Sequence, residues 1–271
     1  MPCARRAAIA PARPSKKMAY LEGGEPFTLD TGSGGAGVLA LHGFTGSPFE
    51  VRALAELLHR NGFGVYAPAL AGHATVVDDL EATSADDYLH AADRAYEEAA
   101  GRFARVYVVG LSMGGTLGLH LAGRKGVAGL VTISTPVFLY PMVNATVPII
   151  EQWLPGLRAP ANFAAWQGNV IGYKSTSIGA VRVVVDLLDR IRPELSRVSA
   201  PVLVVHSSRD FTVPVSSART IHDNIASSVK RLELVDAGSH LMTVEPNLSL
   251  IAEPVVTFLK QLESVACPEG G

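Results

Sequence analysis

Gly110-Leu111-Ser112-Met113-Gly114-Gly115 follows directly on Val106-Tyr107-Val108-Val109 and leads into Thr116-Leu117-Gly118-Leu119-His120-Leu121-Ala122. The first flank is a continuous apolar run and reads as a buried strand; the second reads as a helix. Strand, Gly-x-Ser-x-Gly and helix together are the context in which this pattern forms a nucleophile elbow. A reversal this tight forces the serine into a strained backbone conformation. Glycines two residues before and two after keep side chains out of the neighbouring strand and helix. The Ser112 hydroxyl is thereby left exposed at the end of the sheet, and the Met113 amide points back toward it. A helix starting there adds its positive dipole end, which favours a developing oxyanion.

Outward from this point, the chain alternates short apolar runs with amphipathic segments. Val38-Leu39-Ala40-Leu41 is a central strand covered on both faces, ending in His42-Gly43-Phe44-Thr45-Gly46-Ser47-Pro48. Val51, Leu54 and Leu58 then mark a helix stopped by Asn61-Gly62, and Gly64 to Ala67 is the next strand. Ser84 caps a helix with Asp86 and Asp87 in its first turn. Strands follow at 127–133, 201–205 and 231–235, with helices near 216–225 and from about Leu248 onward. Phe27 to Leu29 reads as part of an opening hairpin. Such alternation predicts an α/β fold with a mostly parallel sheet flanked by helices, its working loops at the carboxyl ends of the strands.

Between Pro136 and about Val185 the rhythm breaks. Pro141, Pro148, Pro155 and Pro160 are interspersed with Phe138, Tyr140, Trp153, Phe163, Trp166 and Tyr173. An aromatic insertion of this length is read as a small cap over the sheet edge rather than a bare loop. The expected organisation is therefore a core at 18–135 and 186–265 with a cap at 136–185. Residues 1–17, basic and without an acid, are read as a disordered extension. Their apolar stretch, Ala7 to Ala10, is too short for a signal-peptide core.

The 271 residues suit one domain with a sizeable core, and 48% hydrophobic with 18% charged residues is ordinary globular composition. A net charge of −2 gives no electrostatic footprint for nucleic acid. No window approaches the roughly 20 apolar residues of a membrane span. Only two cysteines occur, Cys3 and Cys267, so neither a disulfide framework nor a metal cluster is expected, and the default location is the cytoplasm.

A serine nucleophile needs a base, and the base needs an acid to orient it. The expected order after the elbow is acid, then histidine, each just past a strand. Asp210, in His206-Ser207-Ser208-Arg209-Asp210, and His240, in Asp236-Ala237-Gly238-Ser239-His240, meet both conditions. Asp236 is the alternative acid and Asp186 a more distant one. His42 and His73 read as hydrogen-bonders around the loop after Leu41. His206 ends a strand beside the acid loop but precedes the acid. The second oxyanion donor is expected at the Phe44 amide, across from that of Met113, with the Phe44 ring lining the acyl pocket. Phe138, Trp153 and Trp166 are the cap aromatics expected to contact substrate. No metal site is expected, since no histidine pair has the i, i+4 spacing with a partner acid.

With these residues placed, the chain resembles the α/β-hydrolase superfamily over nearly its whole length after Met18. More narrowly, it resembles the small bacterial carboxylesterases and bacterial monoacylglycerol lipases. The carrying motifs are Leu41-His42-Gly43-Phe44-Thr45-Gly46-Ser47-Pro48, Ala71-Gly72-His73 and Gly110 to Leu117. The resemblance implies Ser112 as nucleophile, Asp210 as acid, His240 as base and the Phe44 and Met113 amides as oxyanion donors. It implies cofactor-free hydrolysis of a carboxylic ester, a small molecule; the aromatic cap suggests an apolar acyl chain, short to medium in length, with monoacylglycerols included. Two departures stand out. The family's Gly-His-Gly reads Gly72-His73-Ala74, and His206-Ser207 stands where a glycine is common. Amide or carbon–carbon bond hydrolysis on the same triad, and a binding or receptor protein without turnover, are the alternatives. The intact Ser, Asp and His in order argue against the last.

Overall fold

The computed structural model describes residues 19–32, 34–154, 156–160 and 170–266. The basic extension at 1–17, both cysteines, Phe163 and Trp166 lie outside the described residues. Seven strands form one sheet in the order β1-β3-β2-β4-β5-β8-β9. These are β1 (Phe27–Leu29), β2 (Ala36–Leu41), β3 (Gly64–Ala67), β4 (Arg105–Leu111), β5 (Gly129–Ile133), β8 (Val202–Ser207) and β9 (Lys230–Val235). Every neighbouring pair is parallel except β1 with β3.

Strand periodicity divides the core in two. Leu39, Leu41, Val106 and Val108 point to one face, where they pack with residues of α3 (Ala85–Ala100), α4 (Met113–Ala122) and α7 (Val215–Asn224). Val38, Ala40, Tyr107, Val109 and Leu111 point to the other, against α1 (Phe49–Arg60) and α8 (Leu248–Ala266). A strand buried on both faces must be apolar throughout, which is why β2 and β4 read as continuous runs. The Ser84 start of α3 is a capping box: its side chain accepts from the Asp87 amide while the Asp87 carboxylate takes the Ser84 amide.

The expected opening hairpin does not form. β1 lies antiparallel to β3, with Phe27 opposite Ala67, and not beside β2. Both edges of β2 are already taken by β3 and β4, so β1 adds to the free edge of β3 instead.

The insertion holds α5 (Pro141–Trp153), an antiparallel pair β6 (Arg158–Pro160) and β7 (Ser175–Ser177), and the start of α6 (Ile178–Ile191). α6 runs straight through the boundary expected at 185. Ile178 and Val185 pack with Val147 of α5, whereas Leu187, Leu188 and Ile191 belong to the main core. The loops after β2, β4, β8 and β9 meet at one end of the sheet, beneath this insertion.

Candidate active site

Ser112 sits at φ 52° and ψ −121°, between the end of β4 and the start of α4. That is the left-handed half of conformational space, costly for a residue with a Cβ, and it is held by packing on both sides. The glycines explain why. A Cβ on Gly110 would collide with the Gly114 carbonyl, and one on Gly114 with the Leu41 and His42 carbonyls. The Ser112 amide donates to the Ile133 carbonyl at 2.8 Å, tying the elbow to β5. The Met113 amide opens a helix, where the first N–H groups have no intrahelical acceptor.

The structure brings Asp210 and His240 together. His240 Nδ1 lies 2.7 Å from Asp210 Oδ2, and the carboxylate is completely buried. Its other oxygen, Oδ1, accepts the Thr212 and Val213 amides at 2.7 and 2.9 Å. Burial alone would raise the Asp210 pKa. The His240 hydrogen bond and charge, with the two amides, outweigh it and hold the carboxyl below its ordinary value. Asp236, the alternative acid, is largely exposed and pairs with Arg209, and Asp186 pairs with Arg182 one turn away along α6. Neither faces His240.

His206 is buried beside Asp210, with Nε2 3.2 Å from the Val213 carbonyl and 3.7 Å from Asp210 Oδ2, the oxygen that His240 also meets. Desolvation lowers its pKa, so it flanks the acid as a neutral ring. His42 and His73 hold the loop after β2. The Leu70 amide donates to His42 Nε2 at 3.1 Å and the Thr45 amide to His73 Nε2 at 3.0 Å. Amides can only donate, so both Nε2 atoms are acceptors and both Nδ1 atoms carry the proton. Those Nδ1–H groups donate to the Gly43 and Ala71 carbonyls, each at 2.8 Å. Burial drives His73 down to about 4. It holds His42 well below the ordinary value too, with the neighbouring His73 acting in the same direction.

Ser112, Met113, Phe44 and His240 share the lining of one cleft of about 570 Å³. Among the described residues, the wall that the insertion gives this cleft is largely aliphatic: Leu139, Val143, Val181 and Val184, with Pro160 and Thr176 from the β6–β7 pair. Phe44 lines this cleft; Phe138 packs against the main core and Trp153 is 74% exposed on α5, so neither of these two lines it. Trp166 lies outside the described residues. For Phe138 and Trp153, aromatic content marked the segment but not the side chains that face the cleft, because the short aliphatics there look like ordinary core positions. Two contributors were missed. The single hydroxyl proton of Tyr173 is shared between the Gly72 and Val76 carbonyls, 3.0 and 3.1 Å away, and its oxygen accepts the Thr75 amide, pinning the loop after β3 to the insertion. Glu50, in the first turn of α1, looks like a surface acid in the sequence but is 1% exposed and lines the cleft floor. Among the described residues, no group of three or more His, Cys, Asp or Glu could hold a metal ion. No described helix is long and apolar enough to cross a membrane.

Residues 34–247 match the family described as Hydrolase_4, serine aminopeptidase S33. The chain belongs to this family. A thermostable monoacylglycerol lipase from Bacillus sp. (strain H-257) is 29% identical over 253 residues, covering 90% of this chain and 97% of that protein. A carboxylesterase from Bacillus subtilis (strain 168) is 24% identical over 248 residues, covering 88% and 97% respectively. Among solved structures, one from work on LipS and LipT, two metagenome-derived lipolytic enzymes, superposes with a TM-score of 0.78 at 28% identity, covering 90% of this chain and all of that one. The monoacylglycerol lipase of Paleococcus ferrophilus shares the fold, with a TM-score of 0.70 at 21% identity over 88% of this chain and 99% of that one.

Proposed function

We propose that this chain is a serine carboxylic-ester hydrolase acting on short- to medium-chain acyl esters, monoacylglycerols among them. The observation that carries the reading is the buried Asp210–His240 pair opening onto the same cleft as a strained Ser112. In this mechanism Ser112 Oγ attacks the ester carbonyl carbon and its proton passes to His240 Nε2. Asp210 fixes the proton on Nδ1 and stabilises the imidazolium. The carbonyl electron pair moves to oxygen, and the oxyanion is held by the Phe44 and Met113 amides. Collapse breaks the bond to the leaving alcohol, which takes the proton from His240. Water, deprotonated by the same imidazole, then adds to the acyl carbon; the bond to Ser112 Oγ breaks, Oγ takes the proton back from His240, and the carboxylic acid leaves. No cofactor enters, and the reaction is placed in the cytoplasm, where a chain with two cysteines needs no disulfide.

The aliphatic cap wall supports an acyl chain as the apolar half of the substrate. Initial rates on p-nitrophenyl esters from C2 to C16, on 1-monoacylglycerols and on aminoacyl p-nitroanilides test the reading. Ester turnover that Ser112→Ala lowers by about 10⁶-fold is expected. Near-parental turnover in Ser112→Ala, or anilide hydrolysis exceeding ester hydrolysis, would refute it.

A further inference from the structure

Of the four amides in the turn Gly43–Gly46, three have partners. The Gly43 N–H donates to Glu50 Oε2 at 3.0 Å, the Thr45 N–H to His73, and the Gly46 N–H to the Gly43 carbonyl at 3.3 Å. The Phe44 N–H is the one without an acceptor among the described residues. A trans peptide is planar, with its C=O and N–H pointing in opposite directions. The Gly43 carbonyl is held by the His42 ring and by Gly46, so the Phe44 N–H is aimed the other way. That aim is only as firm as the preceding peptide, whose N–H is held by Glu50.

The glycines of this turn are shaped around the Glu50 carboxyl. A methyl on Gly46 would collide with it, and a methyl on Gly43 would stand 3.2 Å from Oε2 and 3.5 Å from Ser112 Cβ. One methyl's width therefore separates the carboxyl from the nucleophile's own residue. The Glu50 backbone is fixed as well: its carbonyl accepts the hydroxyl of Thr243, a fully buried residue three positions past His240, at 2.6 Å. The carboxyl thus reaches the oxyanion loop from a backbone anchored to the histidine loop.

We propose that Glu50 is a positioning residue that sets the Phe44 amide for the oxyanion by holding the Gly43 amide from beneath. This rests on the ester-hydrolase reading, and it assigns Glu50 no contact with the reacting atoms. The role depends on reach and on an acceptor oxygen. Glu50→Gln keeps both. Glu50→Asp keeps the acid but is one methylene too short, and Glu50→Ala removes the acceptor.

The test measures kcat and KM on p-nitrophenyl butyrate for the three variants, and their inhibition by an alkyl trifluoromethyl ketone, which adds to a serine and places an oxyanion in the hole. Thermal melts establish that each variant is folded. Glu50→Asp and Glu50→Ala are expected to lose about 10- to 100-fold in kcat, short of the 10²–10³ for a donor removed outright, with KM within about threefold. Ketone inhibition should weaken in the same proportion, and Glu50→Gln should stay within about threefold of the parent in both. Parental kcat in the short variants, a loss in Glu50→Gln equal to theirs, or a rise in KM at constant kcat would each overturn the proposal. If neither short variant folds, Glu50→Gln decides alone, and its loss of ketone affinity overturns it. Ser112→Ala, assayed in parallel, separates this from failure of the hydrolase reading: retained turnover there removes the reaction itself.

Discussion

Acidification should destabilise this fold well before its carboxylates protonate. His73 is buried and neutral, donating through Nδ1 and accepting through Nε2, with its pKa pushed from the ordinary 6.5 to about 4. Because the folded value is the lower one, the unfolded chain binds the proton first, and stability is lost as pH falls below 6.5. Each pH unit in that window is worth about 1.4 kcal/mol per proton, so His73 alone removes about 2 kcal/mol between pH 6.5 and 5. The loss levels off below about pH 4, where the folded ring protonates too. His42, His120 and His206 have lowered values and act in the same direction. The acids held below their ordinary range, Asp87, Asp210 and Glu263, start from 3.8, 3.8 and 4.5 and act only at lower pH. Against a typical total of about 5–15 kcal/mol, the histidine contribution is large. Urea unfolding at half-unit steps from pH 7.5 to 4.5, with imidazole signals followed by NMR, measures it. A midpoint that stays constant from pH 7 to 5, or a His73 ring that titrates near 6.5 in the folded protein, would refute the reasoning.

Other predictions concern the acid, a strained loop and the cleft wall. Asp210→Asn should lower kcat by about 10⁴-fold with the fold intact, since the amide cannot hold the same imidazole tautomer; loss under tenfold in ester assays would exclude Asp210 as the orienting acid. Ala74 sits at φ 60°, and Ala74→Gly should stabilise by a few tenths to about 1 kcal/mol, the relief of left-handed strain exceeding the added chain entropy. Chemical denaturation showing a loss of stability instead would mean that the alanine methyl packs for more than its backbone costs. Val143→Phe, on the cap wall, should cut turnover of C12–C16 esters by about 10- to 200-fold while sparing C2–C4, read as a shift in the chain-length profile.

Much of this was legible in the sequence because one-dimensional patterns encode it. β2 and β4 read as double-covered strands since their alternate residues feed two separate cores, and the elbow read as an elbow because its glycines are sterically forced. Asp210 and His240 were legible from chain order and their places after β8 and β9. What stayed hidden depends on tertiary placement. The partner of β1 is decided by which edges are already occupied, and edge occupancy has no local signature. Glu50 looks solvated because acids in a first helical turn usually are; only the packing of the turn above it makes it a floor. Trp153 points to solvent: aromatic content marks a region of the chain, not the direction of a side chain. The Gly72-His73-Ala74 departure resolves physically: Ala74 takes up the left-handed geometry that a glycine would accept more readily.

The helix Ile178–Ile191 has a consequence for recombining this chain with its relatives. Its amino-terminal turns belong to the cap and its carboxyl-terminal turns fill the main core with Leu187, Leu188 and Ile191. A transplanted cap that ends at Val185 would sever one rigid rod in mid-span and leave a foreign half seated against native packing. Junctions at Pro136 and in the strand Ser175–Ser177, ahead of the helix, exchange the cleft's ceiling while keeping its supporting beam.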